Sequence, residues 1–140
     1  MARDARNGLE RLHRDECLRL LASDEIGRLA VTVGHTPAIF PVNYTMDGDA
    51  IVFRTATGTK LTHGPRSGAC FEIDRFDREH RTGWSVVVNG RLEEVTRYDA
   101  RALGRVSHLP VGPWAEGTKD HWMRLVPDRI TGRRVGQPAT

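Results

Sequence analysis

Only two cysteines, Cys17 and Cys70, occur in the 140 residues, and they form no CxxC pair. So few thiols cannot make a disulfide framework, and both are expected to be free and buried. The six histidines, His13, His35, His63, His80, His108 and His121, show no HExxH or similar spacing, so no metal site is expected. Apolar runs are only a handful of residues long, which excludes a membrane-spanning helix. The opening Met1-Ala2-Arg3-Asp4-Ala5-Arg6 mixes charges and leads into no apolar stretch, so a soluble cytoplasmic protein is expected, without membrane partners. Net charge is also scarce: 21 basic against 18 acidic residues leave +3. That is too little for the broad basic face that tracks a nucleic-acid backbone. The excess is local, with Arg124, Arg129, Arg133 and Arg134 against Asp128 between His121 and Thr140. Such an end suits a small anionic ligand or a solvated surface equally.

What is present suffices for one domain spanning residues 1–140, with 1–10 and 136–140 expected to be flexible. Hydrophobic residues at 39% and charged residues at 28% exclude a disordered chain, and 14 glycines point to many turns. Arg11 to Ser23 contains no Gly or Pro and sets Leu12, Cys17, Leu20 and Leu21 near one face, which predicts a helix. From Gly27 to Val33 the residues alternate as in a half-buried strand. Gly34-His35-Thr36 reads as a turn, and Pro37 to Met46 as the returning strand. Pro41 cannot donate to a ladder, so that strand is an edge there or carries a bulge. Asp47-Gly48-Asp49 is a hairpin turn leading into Ala50 to Thr55.

Thr57 to His63 reads as a short helix, Gly68 to Asp74 as a strand, and Gly83 to Val95 as one long strand with a bulge or bend at Gly90. Tyr98 to Val106 suggests a second helix, and Pro110 to Trp114 a loop. His121–Val126 and Arg129–Val135 read as a strand pair or as one strand bent at Pro127. About six sequential strands and two helices make an antiparallel β-barrel.

The stretch Phe53-Arg54-Thr55-Ala56-Thr57-Gly58-Thr59-Lys60-Leu61 carries the most chemistry. A strand ends in hydroxyl residues and glycine, then enters a helix whose first N–H groups lack partners and whose dipole is positive there. Thr55, Thr57 and Thr59 add hydroxyls, and Arg54 and Lys60 add charge, which together make a phosphate cradle. It is not a Walker A loop, because the first Gly is absent and the order is Thr-Lys. The bland reading is an N-cap at Thr57 and a solvated Lys60. Trp84, Trp114 and Trp122 read as core or interface anchors, and no Ser-His-Asp order stands out.

With Gly27-Arg28-Leu29-Ala30, Pro41-Val42-Asn43-Tyr44, the stretch from Phe53 to Leu61, Gly83 to Val95, and Leu125 to Arg133, the sequence resembles the pyridoxamine 5′-phosphate oxidase-like flavin-binding split-barrel family, especially its short actinobacterial type. The resemblance runs from Arg14 to about Arg134. It implies a mainly β fold: a six-stranded antiparallel split barrel with two or three short flanking helices. It also implies a homodimer with FMN in the groove between barrels, acting as an oxidoreductase on a small molecule. By that resemblance Thr59 and Lys60 contact phosphate, and Pro41, Val42, Asn43, Phe53, Arg54 and Thr55 contact the ribityl chain and ring. Trp84, Ser85 and the C-terminal strand close the site from the partner. No catalytic side chain is assigned, since the flavin carries the hydride chemistry. The deazaflavin F420 is the alternative cofactor, and a non-catalytic flavin- or haem-binding protein the alternative role. The family's pyridoxal-holding Arg/His segment is missing after Val135, and its aromatic pair is replaced by Gly132-Arg133, so oxidation of pyridoxamine phosphate itself is not expected.

Overall fold

Alternation of apolar and polar residues dominates the chain, and the computed structural model resolves it into a barrel. It describes residues 2–4, 9–55, 66–96, 99–111 and 121–136. Two short strands, β1 (Ala2–Asp4) and β2 (Leu9–Arg11), precede helix α1 (Arg14–Ala22). Strands β3 (Ile26–Val33), β4 (Thr36–Asp47), β5 (Ala50–Thr55), β6 (Arg66–Asp77) and β7 (Thr82–Val95) follow. Helix α2 (Ala100–Val106) and strand β8 (His121–Val135) complete the described elements.

The strands β3 to β8 pair around a closed circuit, β3-β4-β5-β8-β7-β6 and back to β3, every pairing antiparallel. The expected six-stranded antiparallel barrel is therefore present. Strand β8 is continuous through Pro127, which decides between the two readings of that segment. One edge of β8 pairs with β7 along its length; the other pairs with β5 at His121–Leu125 and with β2 at Arg133–Val135. The bend expected at Gly90 appears as a register shift between Asn89 and Gly90, paired with Arg129 and Pro127, so that Asp128 is the extra residue. A Cβ on Gly90 would lie 2.1 Å from the Val126 carbonyl oxygen, so only glycine allows that approach.

Inside the barrel, Leu29, Ile51, Phe53, Phe71, Ile73, Val86, Val88, Leu92, Met123 and Leu125 are buried in one cluster. Cys17, Leu20 and Leu21 bring α1 into the same cluster, as the helical spacing predicts, and Leu12 joins it from the chain just before the helix. The helix is shorter than the expected Arg11–Ser23: Arg11 belongs instead to β2, where it pairs with Arg133, and Ser23 closes the other end with its hydroxyl donating to the Leu20 carbonyl at 2.7 Å. A second, smaller cluster lies on the outside of β5, β7 and β8, where Val52 and Val95 meet Ala102 and Val106 of α2. The Asp99 carboxylate starts α2 by accepting from the Ala102 N–H at 3.1 Å. The helix expected at Thr57–His63 and the loop residues 112–114 lie outside the described residues.

Candidate functional site

The barrel opens between β4 and β5. Their ladder runs from Asp47↔Ala50 to Tyr44↔Phe53 and ends there. Beyond that rung β4 continues from Asn43 back to Thr36 paired, among the described residues, only with β3, while β5 continues through Arg54 and Thr55 paired with β8. Two adjacent strands thus stop pairing, with Pro41, Val42 and Asn43 on β4 and Arg54 and Thr55 on β5 just beyond the last rung. Pro41 sits where no described strand pairs with that edge of β4, which is the edge position its missing N–H demands. Strand edges that part in this way can offer backbone donors and acceptors to a flat polar ring.

The two residues that end β5 point to opposite sides. Ile51 and Phe53 on β5, Leu125 and Met123 on β8, and Leu92 on β7 face inward. That inner face continues to Thr55, His121 and Glu94 at the mouth of the barrel. Thr55 is 8% exposed, and His121 opposite it bonds through Nδ1 to the Glu94 carboxylate. Arg54 lies on the outer face, directly opposite Trp122, with its Cζ 5.1 Å from the centre of the Trp122 ring. Further along that face Arg124 donates to Glu93 at 3.0 Å.

Of the ten cofactor residues expected, the structure gathers Pro41, Val42, Asn43, Phe53, Arg54 and Thr55 at one opening. Phe53 is 1% exposed and Val42 packs against the main core, so those side chains face the interior and only their backbone borders the opening. Trp84 and Ser85 lie elsewhere in the chain, on β7, with β3 and β6 between them and β4. There Trp84 pairs with Arg134, and a cavity of about 240 Å³ is lined by Thr82, Gly83, Trp84, Arg134, Val135 and Gly136. Thr59 and Lys60 fall outside the described residues. The contact that sequence reasoning missed is Trp122 against Arg54. The visible signal was an aromatic in a strand paired with the cradle strand, but the pairing itself could not be read.

A strand-rich barrel with this opening is matched by the family described as pyridoxamine 5′-phosphate oxidase, over residues 13–134. The chain belongs to that family. It is 37% identical to the uncharacterized protein Rv0080 of Mycobacterium tuberculosis, over 89% of this chain and 84% of that one. It superposes with a TM-score of 0.77 on the FAD binding protein from Mycobacterium smegmatis, 37% identical, covering 92% of this chain and all of that one (100%). A FAD-binding protein from Mesorhizobium loti shares the fold, with a TM-score of 0.68 at 21% identity over 92% and 98% of the two chains.

Family membership gives the C-terminal strand particular interest. Gly132 faces the core beneath α1: a Cβ there would lie 2.6 Å from Cys17 Sγ, and its carbonyl accepts from the Leu12 N–H at 2.9 Å. A bulky aromatic has no space at that position. The cationic cluster is also partly neutralised. Arg134 donates to Glu16 at 3.1 Å and Arg124 is held by Glu93, while Arg129 and Arg133 are exposed. Cys17 is buried and Cys70 half-buried, both as free thiols, with burial pushing each thiol up from its ordinary value. Among the described residues no helix is long and apolar enough to cross a membrane.

Proposed function

We propose that this protein is a flavin-dependent oxidoreductase acting on a small molecule, with FMN held at the β4–β5 opening of a homodimer. The observation that carries the reading is the end of the β4–β5 ladder at Tyr44↔Phe53, with Arg54 and Thr55 on one strand and Pro41–Asn43 on the other just beyond it. The residues present fit a flavin: strand edges for the polar rim of a ring, a guanidinium for phosphate, and a buried hydroxyl at Thr55. The FAD binding protein from Mycobacterium smegmatis, at 37% identity, supports a flavin in general. Thr59 and Lys60 come four and five residues after the end of β5 in sequence and would complete the phosphate contacts.

The flavin, when bound, would supply the hydride chemistry. The chain would bind and orient it, with Arg54 and Lys60 neutralising phosphate and the apolar barrel wall excluding water. Trp84 and Ser85 pair with Arg134 and Arg133, at the other end of β8 from the His121–Leu125 stretch that pairs with β5, so a second copy would bring them to the opening. That geometry favours the homodimer, and exposed Ile39 (70%) and Phe40 (38%) on the open stretch of β4 are surface for it to cover. Turnover of pyridoxamine phosphate is not part of the proposal, because Gly132 is committed to packing under α1.

The test is titration of the purified protein with FMN, FAD and F420, followed by flavin fluorescence and by light scattering for the dimer. FMN is expected to bind, to be bleached by a reductant and to be restored by an acceptor. Preference for F420 would move the reading to the deazaflavin reductase. Binding without turnover of any acceptor would leave a non-catalytic carrier, and failure to bind all three would overturn the reading. Lys60→Ala is expected to weaken FMN binding by about 1.5–3 kcal/mol, as for a hydrogen bond to a charged group.

A further inference from the structure

The outer face of β6, β7 and β8 carries its charges along two separate edges. Phe71, Ile73, Val86, Val88, Ile130 and Gly132 face the core, so the residues alternating with them point outward. On β6 these include Glu72 and Asp74, whose carboxylates share the Arg28 guanidinium, its Nη1 lying 3.2 and 3.6 Å from them. On β8 they include Arg129 and Arg133, and Arg133 stands directly opposite Arg11 on the β2–β8 ladder. All three arginines are exposed, and among the described residues none of them meets a carboxylate. Like charges directly opposite on a ladder repel, so each edge is short of the opposite charge. Between the edges lie the short, uncharged Ser85, Val87 and Asn89 of β7. They pair with Asp74, Glu72 and Cys70 on one side and with Arg133, Thr131 and Arg129 on the other.

Surplus charge of opposite sign on the two sides of a narrow neutral strip makes a surface complementary to itself. A two-fold axis along β7 lays β6 of each copy over β8 of the other, so every contact is made twice. In that register Asp74 meets Arg133 of the second copy, and Glu72 meets the uncharged Thr131. The short side chains of the strip let the two sheets close to about 10 Å, the spacing of packed sheets. A two-fold axis across the strands would instead stack acid on acid and arginine on arginine, so the charges select one arrangement. We propose that this outer face of β6, β7 and β8 is the docking surface for a second copy of this chain, joined by Asp74–Arg133 pairs exchanged across the two-fold axis. This rests on the homodimer of the reading above and names its face, which turns Ser85 toward the second copy.

The experiment measures mass by sedimentation equilibrium on the full chain without added flavin, over a range of protein and salt concentrations. Wild type is expected to be a dimer whose dissociation constant rises with salt. Arg133→Glu and Asp74→Arg each set like charges together at both symmetric contacts. Each should raise the dissociation constant about a hundredfold, or about tenfold per contact. An equimolar mixture of the two variants restores opposite charges at both contacts and should give a heterodimer within about tenfold of wild-type affinity. The Asp74→Arg/Arg133→Glu double variant should recover as a homodimer for the same reason. Melting curves show which variants fold, and Asp74→Asn and Arg133→Gln, expected to weaken the dimer about tenfold, decide the matter should the reversals fail to fold. Folded single variants as dimeric as wild type, or a mixture no tighter than either variant alone, would overturn the proposal and leave the homodimer on another face. A wild type that stays monomeric, with Arg11, Arg129 and Arg133 instead binding heparin, would overturn the face and the homodimer together. A dimer that responds as expected but binds no FMN would support this face and overturn the flavin reading alone.

Discussion

The Phe71 ring occupies the space that a side chain on Gly27 would need: a Cβ there would lie 2.0 Å from Phe71 Cζ. The same ring meets Tyr44 edge-on at 4.8 Å and 71°, and the Tyr44 hydroxyl donates to the Leu21 carbonyl at 2.6 Å. Tyr44 in turn forms the last rung of the β4–β5 ladder before the strands part. A missing side chain on β3 therefore sets the aromatic packing that ends at the opening. Phe71 is fully buried and cannot swing into solvent. Gly27→Ala should destabilise the protein by about 1–3 kcal/mol, the usual cost of overpacking a core. An unchanged chemical-denaturation midpoint would sink this account of Gly27.

How much of this was legible beforehand depended on whether a feature was local. The alternation from Gly27 to Val33, the turn at Asp47-Gly48-Asp49 and the helical spacing of Cys17, Leu20 and Leu21 are short-range signals, and the structure has the matching elements. Three-residue strands such as β1 and β2 are too short to show a period, and no strand was expected there. Pro127 left the C-terminal strand undecided because a proline ordinarily breaks a ladder, and only the Asp128 irregularity beside it shows how the strand continues. At the site, Arg54 and Thr55 stood out by residue type. Their partners Trp122 and His121 did not, because register between strands distant in sequence leaves no local trace.

Glu16 is placed to respond to acid. Its carboxylate accepts from Arg19 at 2.9 and 2.6 Å and from Arg134 at 3.1 Å, linking α1 to the end of β8. The Arg19 guanidinium first, and then Arg134, hold it down at about 2 against an ordinary 4.5. A depressed acid contributes stability that is fully present above the unfolded value and is lost as pH falls from about 4.5 toward 2. Glu16→Gln should therefore melt below wild type at pH 7, with the difference shrinking through that window and vanishing near pH 2. A gap in melting temperature that stays constant with pH would count against it.

Glu72 has the opposite sign. It sits on β6 across from Arg28, whose Nη1 lies 3.2 Å from Glu72 and 3.6 Å from Asp74. Burial, then the neighbouring Asp74, push Glu72 up to about 7 despite that cation. The folded state thus binds a proton more tightly than the unfolded chain, and stability declines as pH rises from about 4.5 through about 7. Glu72→Gln removes the charge and keeps the shape, so it should melt a few degrees above wild type at pH 8. The advantage should fade as pH falls and be gone by about pH 4, below the ordinary value of a glutamate. A variant less stable than wild type at pH 8 would show that the Arg28 contact outweighs the buried charge.

The contact between Gly132 and α1 can be tested by compensation. A Cβ on Gly132 would stand 2.6 Å from Cys17 Sγ and 3.1 Å from Leu12 Cδ1, and Cys17 has no exposed surface into which it could retreat. Gly132→Ala should cost about 1–3 kcal/mol by overpacking. Cys17→Ala alone should also destabilise, because it leaves a small void between helix and sheet. Combined, the added methyl moves toward the space the sulfur vacated, so the double variant should be more stable than the sum of the two losses by about 0.5 kcal/mol or more. Burial keeps the Cys17 thiol neutral, so its removal changes volume and not charge. Additive losses in denaturant melts would mean that the clash is relieved elsewhere, and that α1 does not hold the C-terminal strand closed to a larger side chain.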